Sequence, residues 1–165
     1  MARKITPTHV LLNQIELSSS ASSVTFSNIP QGYGDLVLIV SGGTSGASTT
    51  SVEIQFNGDT STSNYPMVCM QGGGDVGTYA SFTVSRTFMA VGSTSYTGIV
   101  HVMDYSATDK HKTILLRDNS PVQSDVRATA GRWSNTAAVT SIQLYDNSGE
   151  TLDSGNVFSL YGVYA

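Results

Sequence analysis

Charge is scarce in this chain of 165 residues: Asp, Glu, Lys and Arg together make up 12%, about half the share usual in a globular protein. Cysteine is nearly absent. Cys69 stands alone, which excludes an intrachain disulfide framework and leaves a small buried hydrophobe as the expected role of the thiol. The longest plain apolar run, Leu36-Val37-Leu38-Ile39-Val40, is far too short for a membrane-spanning helix. Arg3 and Lys4 are not followed by an apolar stretch of signal-peptide length before Asn13 and Gln14. Asn-x-Ser/Thr acceptors are missing as well. These absences lead us to expect a soluble, cytoplasmically made protein with no membrane partner.

Positive charge is also short. The formal net charge is -4, and the basic residues are scattered apart from Arg3-Lys4 and Lys110-His111-Lys112. No stripe exists to neutralise a phosphate backbone, so nucleic acid is not expected as a partner.

What is abundant is Ser, Thr and Gly, with Val, Tyr and Phe at intervals. Thr, Val, Tyr and Phe favour strands, while Gly, Asn, Asp and Ser favour turns. Val52-Glu53-Ile54-Gln55-Phe56 alternates apolar in and polar out, then meets Asn57-Gly58-Asp59, a strong turn signal. Leu36 to Ser41 reads as a strand covered on both faces. Tyr96 to Tyr105 places Val100 and Val102 on one side, Ile99 and Met103 on the other. Residues 60–78 read as a long irregular stretch containing Pro66 and Gly72-Gly73-Gly74, with a helical turn or two allowed over Tyr65 to Gln71.

The segment from Ala130 to the end carries two strands. Val139, Ile142 and Leu144 supply the apolar side of the first, and Phe158, Leu160, Gly162 and Tyr164 alternate along the second. About eight to ten antiparallel strands result, with turn signals roughly every 8–12 residues, the pattern of a sandwich or jelly roll. The expectation is an all-β single-domain β-sandwich of jelly-roll type over residues 10–165, preceded by a polar arm over residues 1–9 that contains Pro7.

Motifs for chemistry are weak. Gly72 to Gly77 fits G-x-G-x-x-G by spacing, but a strand pattern follows it instead of the helix N-terminus that would hold a pyrophosphate. Gly42 to Gly46 misses a nucleophile elbow because Thr44 is central. His9, His101 and His111 share no pattern. Asp146-Asn147-Ser148-Gly149-Glu150, with Asp153, clusters hard oxygen atoms, yet its spacing is not that of an EF-hand loop, and an Asx-filled turn is simpler. No enzyme activity, cofactor or metal is expected. Trp133 suits a core position or an exposed anchor for a partner or sugar. Tyr33, Tyr65, Tyr79 and Tyr96 stand near expected turns, where tyrosines serve contacts between subunits or to glycans. Asp104, Asp109, Lys110 and Lys112 put both charge signs around one hairpin, suited to an ion-paired turn or a subunit seam.

Three groups of residues carry a resemblance: Phe56 to Thr60 continuing through Ser63-Asn64-Tyr65; Asp104-Tyr105-Ser106 with Asp109 to Thr113; and Gly131-Arg132-Trp133 with Ala138 to Ile142, ending in Ser154 to Val163. In these the chain resembles a family of small tailed-phage virion structural proteins. The resemblance spans most of the chain from Phe56 onward and implies a β-sandwich or jelly-roll fold in a capsid-decoration (cement) or tail-associated protein without enzymatic activity. It points to a virion location, with the major capsid protein and further copies of the chain, as a homotrimer, for partners. Residues Arg3, Lys4, Pro7, Tyr65, Asp104, Lys110, Lys112 and Trp133 are the expected capsid or subunit contacts. The alternative is the glycan-recognising tip of a tail fibre or spike, with Trp133 and the loop tyrosines lining its site.

Overall fold

The computed structural model describes residues 7–45, 50–73, 78–85, 88–91, 96–120 and 125–164. Their strands are β1 (His9–Glu16), β2 (Ser23–Phe26), β3 (Asp35–Gly42), β4 (Thr50–Phe56), β5 (Pro66–Gly73), β6 (Thr78–Ser85), β7 (Phe88–Val91), β8 (Tyr96–Met103), β9 (Lys112–Ser120), β10 (Asp125–Trp133), β11 (Ile142–Asp146) and β12 (Val157–Val163). A single 3₁₀ turn, Thr62–Asn64, lies between β4 and β5. The strands form an eight-stranded sheet in the order β1-β12-β3-β8-β9-β10-β5-β6 and a four-stranded sheet in the order β2-β11-β4-β7.

Eight of these strands make one long antiparallel ribbon. The outgoing arm, β1 to β4, pairs in turn with the returning arm, so that β1 meets β12, β2 meets β11, β3 meets β8 and β4 meets β7. The ribbon wraps around the core, and contact between its edges, β12 on β3 and β11 on β4, closes the wrap. This is a jelly roll. The remaining strands are two hairpin insertions, β5–β6 at the ribbon's tip and β9–β10 in its returning arm. They join each other through β10 and β5 and extend the large sheet beyond β8.

Period-2 alternation explains the wrap. Leu36, Leu38 and Val40 of β3, Val100 and Val102 of β8, and Phe158 and Leu160 of β12 face inward. They meet Val24 and Phe26 of β2, Ile54 and Phe56 of β4, and Ile142 and Leu144 of β11 in one buried cluster. Each fully buried side chain of this size contributes roughly 1.5–3 kcal/mol relative to exposure. Tyr96, at the start of β8, is buried too. Its hydroxyl finds no hydrogen-bond partner among the described residues, and burial, with the carboxylates of Asp153 and Asp146 adding to it, pushes the phenol far above its ordinary value.

Several expectations change. Residues 66–73 form strand β5, not helical turns or loop: Met67 and Cys69 point inward, Val68 and Met70 outward. β3 is buried on one face only, with Val37 and Ile39 half-buried on the other. Glu53 and Gln55 are not solvated. Both are buried, and the Glu53 carboxylate accepts hydrogen bonds from Tyr145 Oη at 2.6 Å and Asn147 Nδ2 at 2.7 Å. The two C-terminal strands do not pair with each other; β11 sits in the small sheet and β12 in the large one, so they face across the core. Residues 74–77 of the glycine motif lie outside the described residues.

Candidate functional site

Asn57, Asp59, Tyr65, Tyr105 and Trp133 gather at one end of the sandwich and lock it shut. Asn57 and Gly58 both adopt positive φ, 51° and 71°, as the Asn-Gly turn after β4 requires. The Asn57 side chain then staples that turn to the segment leading into β11. Its Oδ1 accepts from Thr140 N at 2.8 Å and Ser141 N at 3.0 Å, and its Nδ2 donates to Ala138 O at 2.7 Å. Asp59 is the second staple. Its carboxylate accepts from Trp133 Nε1 at 2.7 Å, Asn64 Nδ2 at 2.8 Å and Ser61 N at 3.0 Å.

Trp133 packs edge-on against Phe56, with ring centroids 5.6 Å apart, and Tyr65 sits tilted against the same ring at 6.1 Å. Tyr65 Oη also accepts from Phe56 N at 3.0 Å. A Cβ on Gly131 would lie 2.3 Å from Met67 Cγ, so the small residue two places before Trp133 lets β10 close on β5. Tyr105 completes the node: its hydroxyl donates to Pro30 O, and its carbonyl accepts from Val139 N at 2.8 Å.

This placement corrects three of the expected contact residues. Tyr65 and Trp133 are buried at 0% and 1% exposure, so neither offers a surface to a partner or a sugar. Lys112 is equally buried, and its Nζ donates to Lys110 O at 2.8 Å and Thr136 O at 3.2 Å, holding the β8–β9 turn to the segment after β10. Burial pushes its ammonium below the ordinary lysine value, partly offset by the carboxylates of Asp109 and Asp104.

Asp104 and Lys110 remain on the surface as a loose pair at 3.7 Å, and Asp104 takes a positive φ of 52° in the turn. Such an exposed pair is worth little. Pro7 is exposed; Arg3 and Lys4 lie outside the described residues. The structure brings Tyr65 and Trp133 together, and Asp104 with Lys110 and Lys112, but not the two groups at one surface. Among the loop tyrosines, Tyr96 is buried, Tyr33 packs against Tyr164 with the rings tilted at 45° and their centroids 4.9 Å apart, and the Tyr79 side chain lies outside the described residues. Asp146 Oδ1 accepts from Ser148 N and Glu150 N, the Asx turn that its sequence predicts. No cluster of metal-ligating side chains is found among the described residues.

The surface feature that the sequence reading missed is the outer face of the large sheet. Two register rows cross it. One runs Val68, Ala130, Leu115, His101, Val37; the other runs Met70, Ala128, Arg117, Ile99, Ile39. Val68, Met70, Leu115 and Val126 are 48%, 58%, 41% and 64% exposed. Ala128 and Ala130 of β10 lie low between the taller side chains of β5 and β9, which stand about 10 Å apart across it. A groove results, with depressions of about 620 and 260 Å³ that share Met70, Ile99, Arg117 and Ala128.

Arg117 and Arg132 are the exposed cations on this stretch, and neither has an ion-pair partner among the described residues. His101 Nε2 lies 3.3 Å from Asp35 Oδ2 at the groove's border. The arrangement suits apolar contact supplemented by an anionic group on Arg117. A clue was present in the sequence: β5 and β9 are apolar at both parities, which leaves one apolar set facing away from the core.

No protein-family model matches the chain, and no curated protein matches it. A solved structure of a protein of unknown function from Shewanella oneidensis MR-1 aligns over 96% of this chain and 77% of that chain, at 12% identity and a TM-score of 0.24, a likeness too slight to carry an argument about fold or function.

Proposed function

We propose that this chain is a structural protein of a tailed-phage virion, a capsid decoration protein that attaches to the shell and stabilises it. The observation that carries this reading is the exposed apolar groove along β10, flanked by Val68, Met70 and Leu115 and bordered by the exposed Arg117. Contiguous apolar surface of this kind is characteristic of a protein contact. The resemblance of residues 56–60 and 63–65, 104–106 and 109–113, and 131–133, 138–142 and 154–163 to virion proteins suggests the kind of assembly. In this role the chain contributes a rigid sandwich and one adhesive face, and many copies on a lattice reinforce the shell together. The tail-tip reading has lost its aromatic anchor, because Trp133 is in the core.

Co-sedimentation with capsid shells stripped of the protein tests this reading. Wild-type chain is expected to bind saturably and to raise the temperature at which the shells open. The double variant Met70→Lys/Leu115→Lys, folded, is expected to stay in the supernatant. Failure of the wild type to bind shells, or labelling of the tail instead of the head in whole virions, overturns the proposal.

A further inference from the structure

The two sheets have four edge strands, and three of them are guarded. β2 and β7 are four residues long. β1 carries a break in register between Leu11 and Asn13 and ends on Glu16. Short length, bulges and charge are the usual means of keeping an edge from pairing with another chain. β6 has none of them. Its sequence, Thr-Tyr-Ala-Ser-Phe-Thr-Val-Ser, is eight residues without charge or proline, and it runs in unbroken register with β5. Among the described residues it pairs with β5 alone.

We infer that β6 is the self-association edge of this protein, and that its occupant is β6 of a second copy, paired antiparallel about a twofold axis. An antiparallel strand laid against its own copy is self-complementary, since each free N–H and C=O along the edge meets its counterpart. Twofold pairing is also the commonest closed assembly. Uncharged β6 places no like charges opposite each other, whereas a β1 pairing would have to accommodate Glu16 and a bulge. The consequence for the surface is direct. Pairing β6 with its copy joins the two large sheets, so the apolar grooves of both copies lie in one continuous sheet with the two β6 strands between them. Their β5 strands then stand about 14 Å apart, three strand spacings. This last consequence rests on the proposed function, because it makes the paired face the footprint on the shell; the pairing itself does not.

Light scattering on the full-length chain tests the inference. The expected mass is twice the 17.4 kDa of one chain, and Ser81→Lys/Thr83→Lys is expected to weaken dimerisation by at least about a hundredfold while leaving the far-ultraviolet spectrum unchanged. Hydrogen exchange on the wild type gives a reading independent of any variant: β6 amides are protected in the dimer and lose protection on dilution. A monomeric or trimeric wild type, a dimer unmoved by the two lysines, or β6 amides indifferent to dilution overturns it. The two proposals fail separately. A dimer that does not bind shells sinks the capsid reading alone, and a monomer that binds them sinks the β6 pairing alone.

Discussion

The wrapped ribbon and the two-hairpin extension are built from similar strands, yet they spend their apolar residues differently. In the ribbon, β4 and β11 alternate strictly, and their polar positions are tied up in bonds such as Tyr145 to Glu53. In the extension, β5 and β9 are apolar on both faces. Met67, Cys69, Ile114 and Leu116 fill the interior while Val68, Met70 and Leu115 stay outside. The first pattern satisfies a fold. The second satisfies the fold and leaves a surface whose burial waits for another molecule. The comparison teaches that the motif-bearing residues and the adhesive residues are separate sets: Asn57, Asp59 and Trp133 hold the sandwich, while the groove lies on the sheet that they keep in place.

Substitutions can break this division, and the largest effect is expected at the node. Trp133→Ala removes a buried indole and leaves the Asp59 carboxylate short of a donor; denaturant unfolding should show a loss of about 3–5 kcal/mol. Asn57→Ala deletes the staple to residues 138–141 and a residue suited to positive φ, for about 2–3 kcal/mol in the same assay. Gly131→Ala forces Met67 aside and should cost about 1–3 kcal/mol.

A smaller, pH-dependent effect belongs to Tyr96. Its phenol is held above the ordinary value of about 10, so the unfolded chain releases that proton first. The contribution is complete below about pH 10 and is lost as pH rises further. Alkaline unfolding should therefore be shallower in Tyr96→Phe, and phenolate absorbance from Tyr96 should appear only with unfolding. The smallest stability effect is expected at the groove, where Met70→Lys and Leu115→Lys should each change stability by no more than about 0.5 kcal/mol. If these groove variants unfold the protein, or if Trp133→Ala leaves stability intact, the separation between the two residue sets is wrong.

The jelly roll was legible because its strands obey one period. Val52 to Phe56 and Ile142 to Asp146 declare their buried side by alternation, and Asn57-Gly58 declares the turn. β5 was not legible as a strand, because Met67-Val68-Cys69-Met70 is apolar at every position and is framed by Pro66 and three glycines. A run without a period does not distinguish strand from helix. Glu53 and Gln55 misled in the opposite sense, since a polar residue at an outward position is read as solvated unless its surroundings, for Glu53 the Tyr145 and Asn147 side chains from another part of the chain, are known. The expected contact residues failed for a related reason. Trp133, Tyr65 and Lys112 have chemistry suited to an interface, and only the tertiary contacts reveal that the core and the adjoining turns use that chemistry first.

The pairing order of the ribbon also governs when the protein can form. No strand of the outgoing arm is hydrogen-bonded to another strand of that arm; β1 and β3 meet across β12, and β2 and β4 meet across β11. As the chain leaves the ribosome, β3 and β4 can pair with β8 and β7, whereas β1 and β2 have no strand neighbour until β12 and β11 arrive. The fold behaves as a clasp that closes when β11 and β12 emerge, and removing β12 should leave β1 without a sheet to join.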